Sequence, residues 1–82
     1  MMSFESLLRR AEILRRLDPE PLHDSWWTGY LRGLRRAHHG VAFGTEEEHQ
    51  FHLAATNSPD PSRAALGRGY RAGLARSEQE PD

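Results

Sequence analysis

Apolar residues recur over the first seventeen positions at steps of mostly three and four: Phe4, Leu7, Leu8, Ala11, Leu14 and Leu17. That period puts them on one stripe of a helix, with Ser3 as its N-cap and the arginines mostly off the stripe. Asp18-Pro19-Glu20-Pro21 ends the helix, because a residue before proline is pushed out of helical geometry and proline has no backbone donor. A second helix is predicted from Asp24 to His39, capped by Asp24 or Ser25 and terminated by Gly40. Its bulky stripe is Trp27, Tyr30, Leu31, Leu34 and His38. Beside that stripe, Gly29, Gly33 and Ala37 leave a shallow groove at four-residue steps. Two glycines inside a helix cost about 1 kcal/mol each relative to alanine, so close packing of another helix is expected to offset them.

After the apolar connector Val41-Ala42-Phe43-Gly44, Thr45 and Glu48 form a capping box with acids throughout the first turn. A short third helix, Glu46 to Thr56, is expected to turn Phe51, Leu53, Ala54 and Ala55 inward. Asn57-Ser58-Pro59-Asp60-Pro61 closes it. Asp60 followed by Pro61 then starts a fourth helix carrying Leu66, Tyr70, Gly73 and Leu74 inward and ending near Ser77. Residues 78–82 read as a disordered acidic tail.

A shift of forty residues aligns Pro19 with Pro59, Pro21 with Pro61, Gly29 with Gly69, Tyr30 with Tyr70, Gly33 with Gly73, Leu34 with Leu74 and Arg36 with Arg76, without a gap. Such agreement marks a duplicated unit. The predicted fold is therefore all-α: four helices as two tandem, pseudo-twofold-related helical hairpins of about forty residues. The units span residues 3–40 and 45–77 of one domain, residues 1–77. The two Gly-Tyr-x-x-Gly-Leu helices should cross closely at the centre, and the alternative use of such a groove is homodimerisation.

Composition narrows the functional classes. The chain has 82 residues and no cysteine, so helix packing must stabilise it without disulfides or thiolate metal sites. No apolar run approaches the roughly eighteen residues needed to span a bilayer, so no membrane association is expected and the protein is placed in the cytoplasm of a bacterial host cell. A net charge of −1 argues against direct nucleic-acid binding through a general basic surface. The charge is uneven, with seven arginines against five acids up to residue 44 and four against seven beyond it.

Candidate chemistry is sparse. His49-x-x-His52 near Glu46 and Glu48 has the spacing of two metal ligands on one helical face, but the other unit offers no matching ligands, so neither metal nor cofactor is expected. Neither a nucleophile–base arrangement nor a phosphate-binding glycine loop can be read, which predicts a non-enzymatic protein. Adjacent Trp26 and Trp27 point about 100° apart on a helix, so one faces the core and the other is either packed or a binding anchor. Arg32, Arg35 and Arg36, followed by His38 and His39, form a basic cluster at a helix C-terminus. The partner-binding candidates are Trp26, Arg32, Arg35 and Arg36 on one surface and the acidic turn Glu46, Glu47 and Glu48 on the other.

In length, arginine-only basicity and compactness, the chain resembles the small helical proteins of phages and mobile elements, of the anti-CRISPR type. That resemblance implies a protein-interaction module that inhibits by covering a surface of a host complex such as a CRISPR effector, blocking DNA access or nuclease recruitment. The alternatives are a small DNA-binding regulator using Arg32, Arg35 and Arg36, and a homodimeric scaffold.

Overall fold

The computed structural model describes residues 3–76, which form four α-helices and one short 3-10 turn. Helix α1 is Phe4–Leu17, α2 is Pro21–His39, α3 is Glu46–Ala55 and α4 is Pro61–Leu74, with the 3-10 turn Gly40–Ala42 between α2 and α3. Helix α1 packs on α2, α3 packs on α4, and the most extensive contact in the molecule joins α2 to α4. The thinnest dimension is 15 Å, the depth of two stacked helices.

Most helix starts follow from capping chemistry. Ser3 accepts from the Ser6 amide, Thr45 from Glu48 and Asp60 from Arg63. The exception is α2, which begins three residues earlier than its periodicity indicates. Pro21 occupies the first turn, where its missing N–H costs nothing, and Glu20 caps it by accepting from the Leu22 amide. The same arrangement, Asp60 before Pro61, opens α4. The preceding turn is fastened by Asp18, which accepts from the Glu20 amide and pairs with His23 Nδ1 at 2.9 Å. At the far end, α4 stops at Leu74, with Arg76 in the left-handed region at φ 57°. Ser77 and the proposed acidic tail lie outside the described residues.

The α2–α4 crossing brings backbone against backbone. A Cβ added at Gly29 would collide with the Leu66 carbonyl oxygen, and one at Gly33 with that of Tyr70. The contact is reciprocal, since a Cβ at Gly69 would strike the Trp26 carbonyl and one at Gly73 that of Tyr30. Such proximity permits Cα–H···O contacts and lets side chains flanking the glycines close over the seam. Tyr30 and Leu34 are fully buried beside it, and Tyr70 is 3% exposed. The expected meeting of the two glycine-grooved helices is therefore observed.

Helix α1 covers another side of α2. Leu7 and Ala11 join Trp26, Trp27, Tyr30, Leu31, Leu34 and Ala65 in one core cluster, with Phe4, Leu8 and Leu14 packed against it. Phe4 stacks on His38 at 3.9 Å, sealing the start of α1 to the end of α2. Arg15 grips Asp24 through two hydrogen bonds of 2.7 and 3.3 Å. Glu12, spaced to pair with Arg16 within its own helix, instead faces Arg35 of α2 at 3.7 Å. Leu17, assigned to the inward stripe, is 75% exposed because the chain turns away at Asp18 before α2 can cover it.

Alanine at Gly33 or Gly69 separates two predictable effects. Higher helix propensity would stabilise by about 1 kcal/mol, whereas wedging a methyl against an opposing backbone carbonyl costs about 1–3 kcal/mol or more. Net destabilisation is expected in denaturant unfolding, with altered near-ultraviolet dichroism from Trp26 and Tyr30 at the crossing. Gly40→Ala should also destabilise, because φ there is +65° with open space around the site. Its near-ultraviolet spectrum should remain that of the wild type.

Candidate functional site

Helix α3 is attached differently from the other three. Of its ten residues only His52 and Ala55 are buried. Ala55 sits where α3 meets α4, at Gly67; a Cβ on that glycine would collide with the Thr56 amide nitrogen. Helix α3 thus approaches its partner helix at a small residue. Arg71 secures the end of α3, donating to the Leu53 carbonyl at 2.8 Å and the Thr56 hydroxyl at 3.1 Å. A cation at these C-terminal carbonyls satisfies acceptors the helix cannot satisfy itself.

The remaining attachment is a polar network around Tyr70. The His52 ring stacks on Tyr70 at 4.6 Å, its Nδ1 lies 2.7 Å from the Glu48 carbonyl, and its Nε2 lies 3.2 Å from Arg32 Nη1. A carbonyl can only accept, so Nδ1 carries the proton and Nε2 accepts from the guanidinium. His49 Nδ1 is 2.5 Å from the Tyr70 hydroxyl. Arg36, whose side chain is only 10% exposed, donates to Glu46 at 3.3 Å. Arg32, Arg36, His49, His52 and Tyr70 line a cleft of about 280 Å³ together with Phe43, Gly44, Thr45 and Glu48.

Electrostatics follow the same contacts. The Gln50 amide holds the Glu46 carboxyl below its usual range, assisted by Arg36 and opposed by desolvation. Burial pushes the Tyr70 phenol above its usual value; nearby Arg36 acts against this and Glu46 with it. On the α1 side, the Arg15 hydrogen bond lowers Asp24 and the same bond raises Arg15.

Of the partner-binding candidates, Arg32, Arg36 and Glu48 meet in this cleft with Glu46 paired to Arg36, while Trp26 and Arg35 lie elsewhere. Trp26 is 7% exposed and stacks on Tyr30 at 5.4 Å, with Trp27 edge-on at 4.9 Å. It is a core residue, not an exposed anchor. Although adjacent residues leave the helix about 100° apart, the two indoles pack against each other and against Tyr30 in one core cluster, so both are buried. Trp27 Nε1 has no hydrogen-bond partner among the described residues, a burial that costs about 1–3 kcal/mol. The basic cluster also separates: Arg35 faces Glu12, Arg36 faces Glu46, and Arg32 faces His52. His38 and His39 are taken up in ring contacts with Phe4. Of the acids, Glu46 is engaged by Arg36 and Gln50, the Glu48 carboxylate accepts from the Thr45 hydroxyl at 3.4 Å, and Glu47 is exposed.

Helix α3 also presents a different face inward from the one its apolar residues suggest. His52 is buried, Phe51 is 50% exposed and Ala54 is exposed. The close approach at Gly67 admits only a small residue, which selects Ala55, and the face three residues back then carries His52. The His49-x-x-His52 pair does share one face, but its nitrogens meet Tyr70, Arg32 and the Glu48 carbonyl. Among the described residues, no three His, Cys, Asp or Glu side chains converge as a metal site.

A second groove lies on the other side of Arg32, bordered by α2, α3 and α4. Arg32, Phe51, Arg63 and Leu66 line it, with Asp24 and Asp60 also in its walls. Its volume is about 340 Å³. No carboxylate pairs with Arg32 or Arg63 among the described residues. Half-exposed Phe51 thus shares the lining of one groove with two arginines that have no carboxylate partner among the described residues. No family model matches the chain, and no match is found among curated proteins or solved structures. Among the described residues, no helix is long and apolar enough to cross a membrane.

Two outcomes test the attachment of α3. His52→Phe keeps an aromatic ring against Tyr70 but removes the side-chain hydrogen bonds to the Glu48 carbonyl and Arg32, costing about 0.5–1.5 kcal/mol each. Hydrogen exchange should accelerate in α3 before it does in α2 and α4. Glu46 has a folded-state pKa below its unfolded value, so its contribution is present above the ordinary carboxylate range and disappears as pH falls through the folded value. Protection factors in α3, corrected for the intrinsic pH dependence of exchange, should therefore fall on acidification, and Glu46→Gln should remove that part of the response.

Proposed function

We propose that this protein is a non-enzymatic interaction module, a phage or mobile-element inhibitor that binds a larger bacterial complex, with a CRISPR effector as the intended target. The observation that carries the interaction reading is the half-exposed Phe51, set in a groove with Arg32 and Arg63 on a helix held by specific side-chain contacts. Aromatic residues and arginine are enriched in protein interfaces, and a positioned aromatic loses less conformational freedom on binding than a mobile one. The groups that could otherwise suggest catalysis are engaged in holding α3, which favours binding over turnover. Arg35 and Arg36 lie against Glu12 and Glu46, which weakens the alternative of a DNA regulator built on that cluster. The inhibitor assignment draws on the chain's resemblance to small proteins of that kind.

The test is target-DNA binding by purified CRISPR effector complexes, measured by fluorescence polarisation with increasing amounts of the protein. Stoichiometric inhibition of a complex is expected, with Phe51→Ser weakening it at least tenfold while leaving the helical spectrum intact. Absence of inhibition across the major effector types would overturn the inhibitor assignment. Equal inhibition by Phe51→Ser would remove the groove from it.

A further inference from the structure

We infer that the groove between α2, α3 and α4 receives an acidic amphipathic segment of a protein partner, its carboxylates meeting Arg32 and Arg63 and its apolar residues meeting Phe51 and Leu66. This deepens the interaction reading and rests on it. Four features of the groove select that occupant.

The first is charge. Arg32 gives one N–H to His52 Nε2, and this neutral acceptor leaves its positive charge uncompensated. Arg63 is exposed; its backbone amide donates to Asp60, and its guanidinium has no hydrogen-bond partner among the described residues. A partner carboxylate thus gains two guanidinium groups without displacing an internal ion pair. The second is the apolar surface of the same groove, where half-exposed Phe51 and partly buried Leu66 share the lining. Burying an aromatic side chain from this state contributes favourably, and flanking cations fix the register of the incoming chain.

The third feature is rigidity on one side. Arg32 is held by His52, which is held by the Glu48 carbonyl and the Tyr70 ring, so its guanidinium is positioned before a ligand arrives. The fourth distinguishes a protein segment from a nucleic acid. Aromatic and arginine residues together also suit single strands. Here, however, Asp24 and Asp60 stand in the same walls; Asp24 is offset by Arg15, and Asp60 is the carboxylate cap of α4. A continuous phosphate backbone must pass these carboxylates, whereas a peptide can place isolated acids on the arginines and neutral residues beside Asp24 and Asp60. The net charge of −1 for the whole chain acts in the same direction.

The probe is a synthetic helical peptide with leucine at three- and four-residue spacing and glutamate between, titrated into isotopically labelled protein and followed by amide chemical shifts. Matched peptides carry glutamine or lysine in place of glutamate, and oligothymidylate is the nucleic-acid probe. Saturable shifts are expected at Phe51, Arg63 and Leu66 with the glutamate peptide, at least tenfold weaker binding with glutamine, and a steep loss of affinity with salt. Arg63→Glu should weaken the glutamate peptide by tenfold or more and improve the lysine peptide; Arg63→Gln should fall between. The unchanged amide spectrum of each variant verifies its fold. Tighter binding of oligothymidylate at the same residues, equal binding of the glutamate and glutamine peptides, or no shifts at the groove would each overturn the proposal. Effector inhibition that depends on Phe51 but is indifferent to Arg63 and salt would refute acid recognition while sustaining the interaction module.

Discussion

Everything in this molecule depends on two helices approaching until their backbones touch. Glycine at positions 29, 33, 69 and 73 removes the side chains that would otherwise hold α2 and α4 apart, and each opposes a carbonyl oxygen of the other helix. The intrinsic cost of glycine in a helix is offset where the flanking Tyr30, Leu34 and Tyr70 become buried against the seam. In a chain of this size the core is small, and one extended contact between two helices supplies a large share of it. The outer helices pack on this platform, α1 on α2 and α3 on α4.

They are added by different chemistry. Helix α1 contributes Leu7 and Ala11 to the central cluster and is further secured by Phe4 on His38 and Arg15 on Asp24. Helix α3 buries little apolar surface and is held by directional contacts: His52 on Tyr70, Arg32 on His52, His49 on the Tyr70 hydroxyl, and Arg71 on the helix end. Directional contacts tolerate an exposed Phe51 because the helix does not depend on burying it. The surface offered for binding thus arises from the same economy that makes α3 polar.

Much of the architecture was legible because capping, turns and helix crossing are governed by short patterns. Thr45 with Glu48, Asp60 before Pro61 and the spaced glycines each have a local physical meaning that survives in three dimensions. Helix α2 starts at Pro21 rather than at Asp24 because a first-turn proline needs no backbone donor, as Pro61 shows again at the start of α4. The candidate site was less legible. Trp26 has a binding anchor's composition, but its exposure depends on whether a second helix covers α2. Arg32, Arg35 and Arg36 are neighbours in sequence that face three different partners. Nothing around residue 63 distinguishes it from the chain's other arginines until Phe51 and Arg32 are brought beside it.

By itself the sequence determined the all-helical class, most of the helix boundaries and the close contact between the two glycine-grooved helices, because each follows from backbone geometry within a few residues. Tertiary structure alone decided which face α3 turns inward, which arginines retain an unpaired charge and which aromatic side chain stays in contact with solvent. Those outcomes depend on groups twenty or more residues apart in the chain, such as Arg32 with His52 and His49 with Tyr70, whose meeting no local pattern specifies.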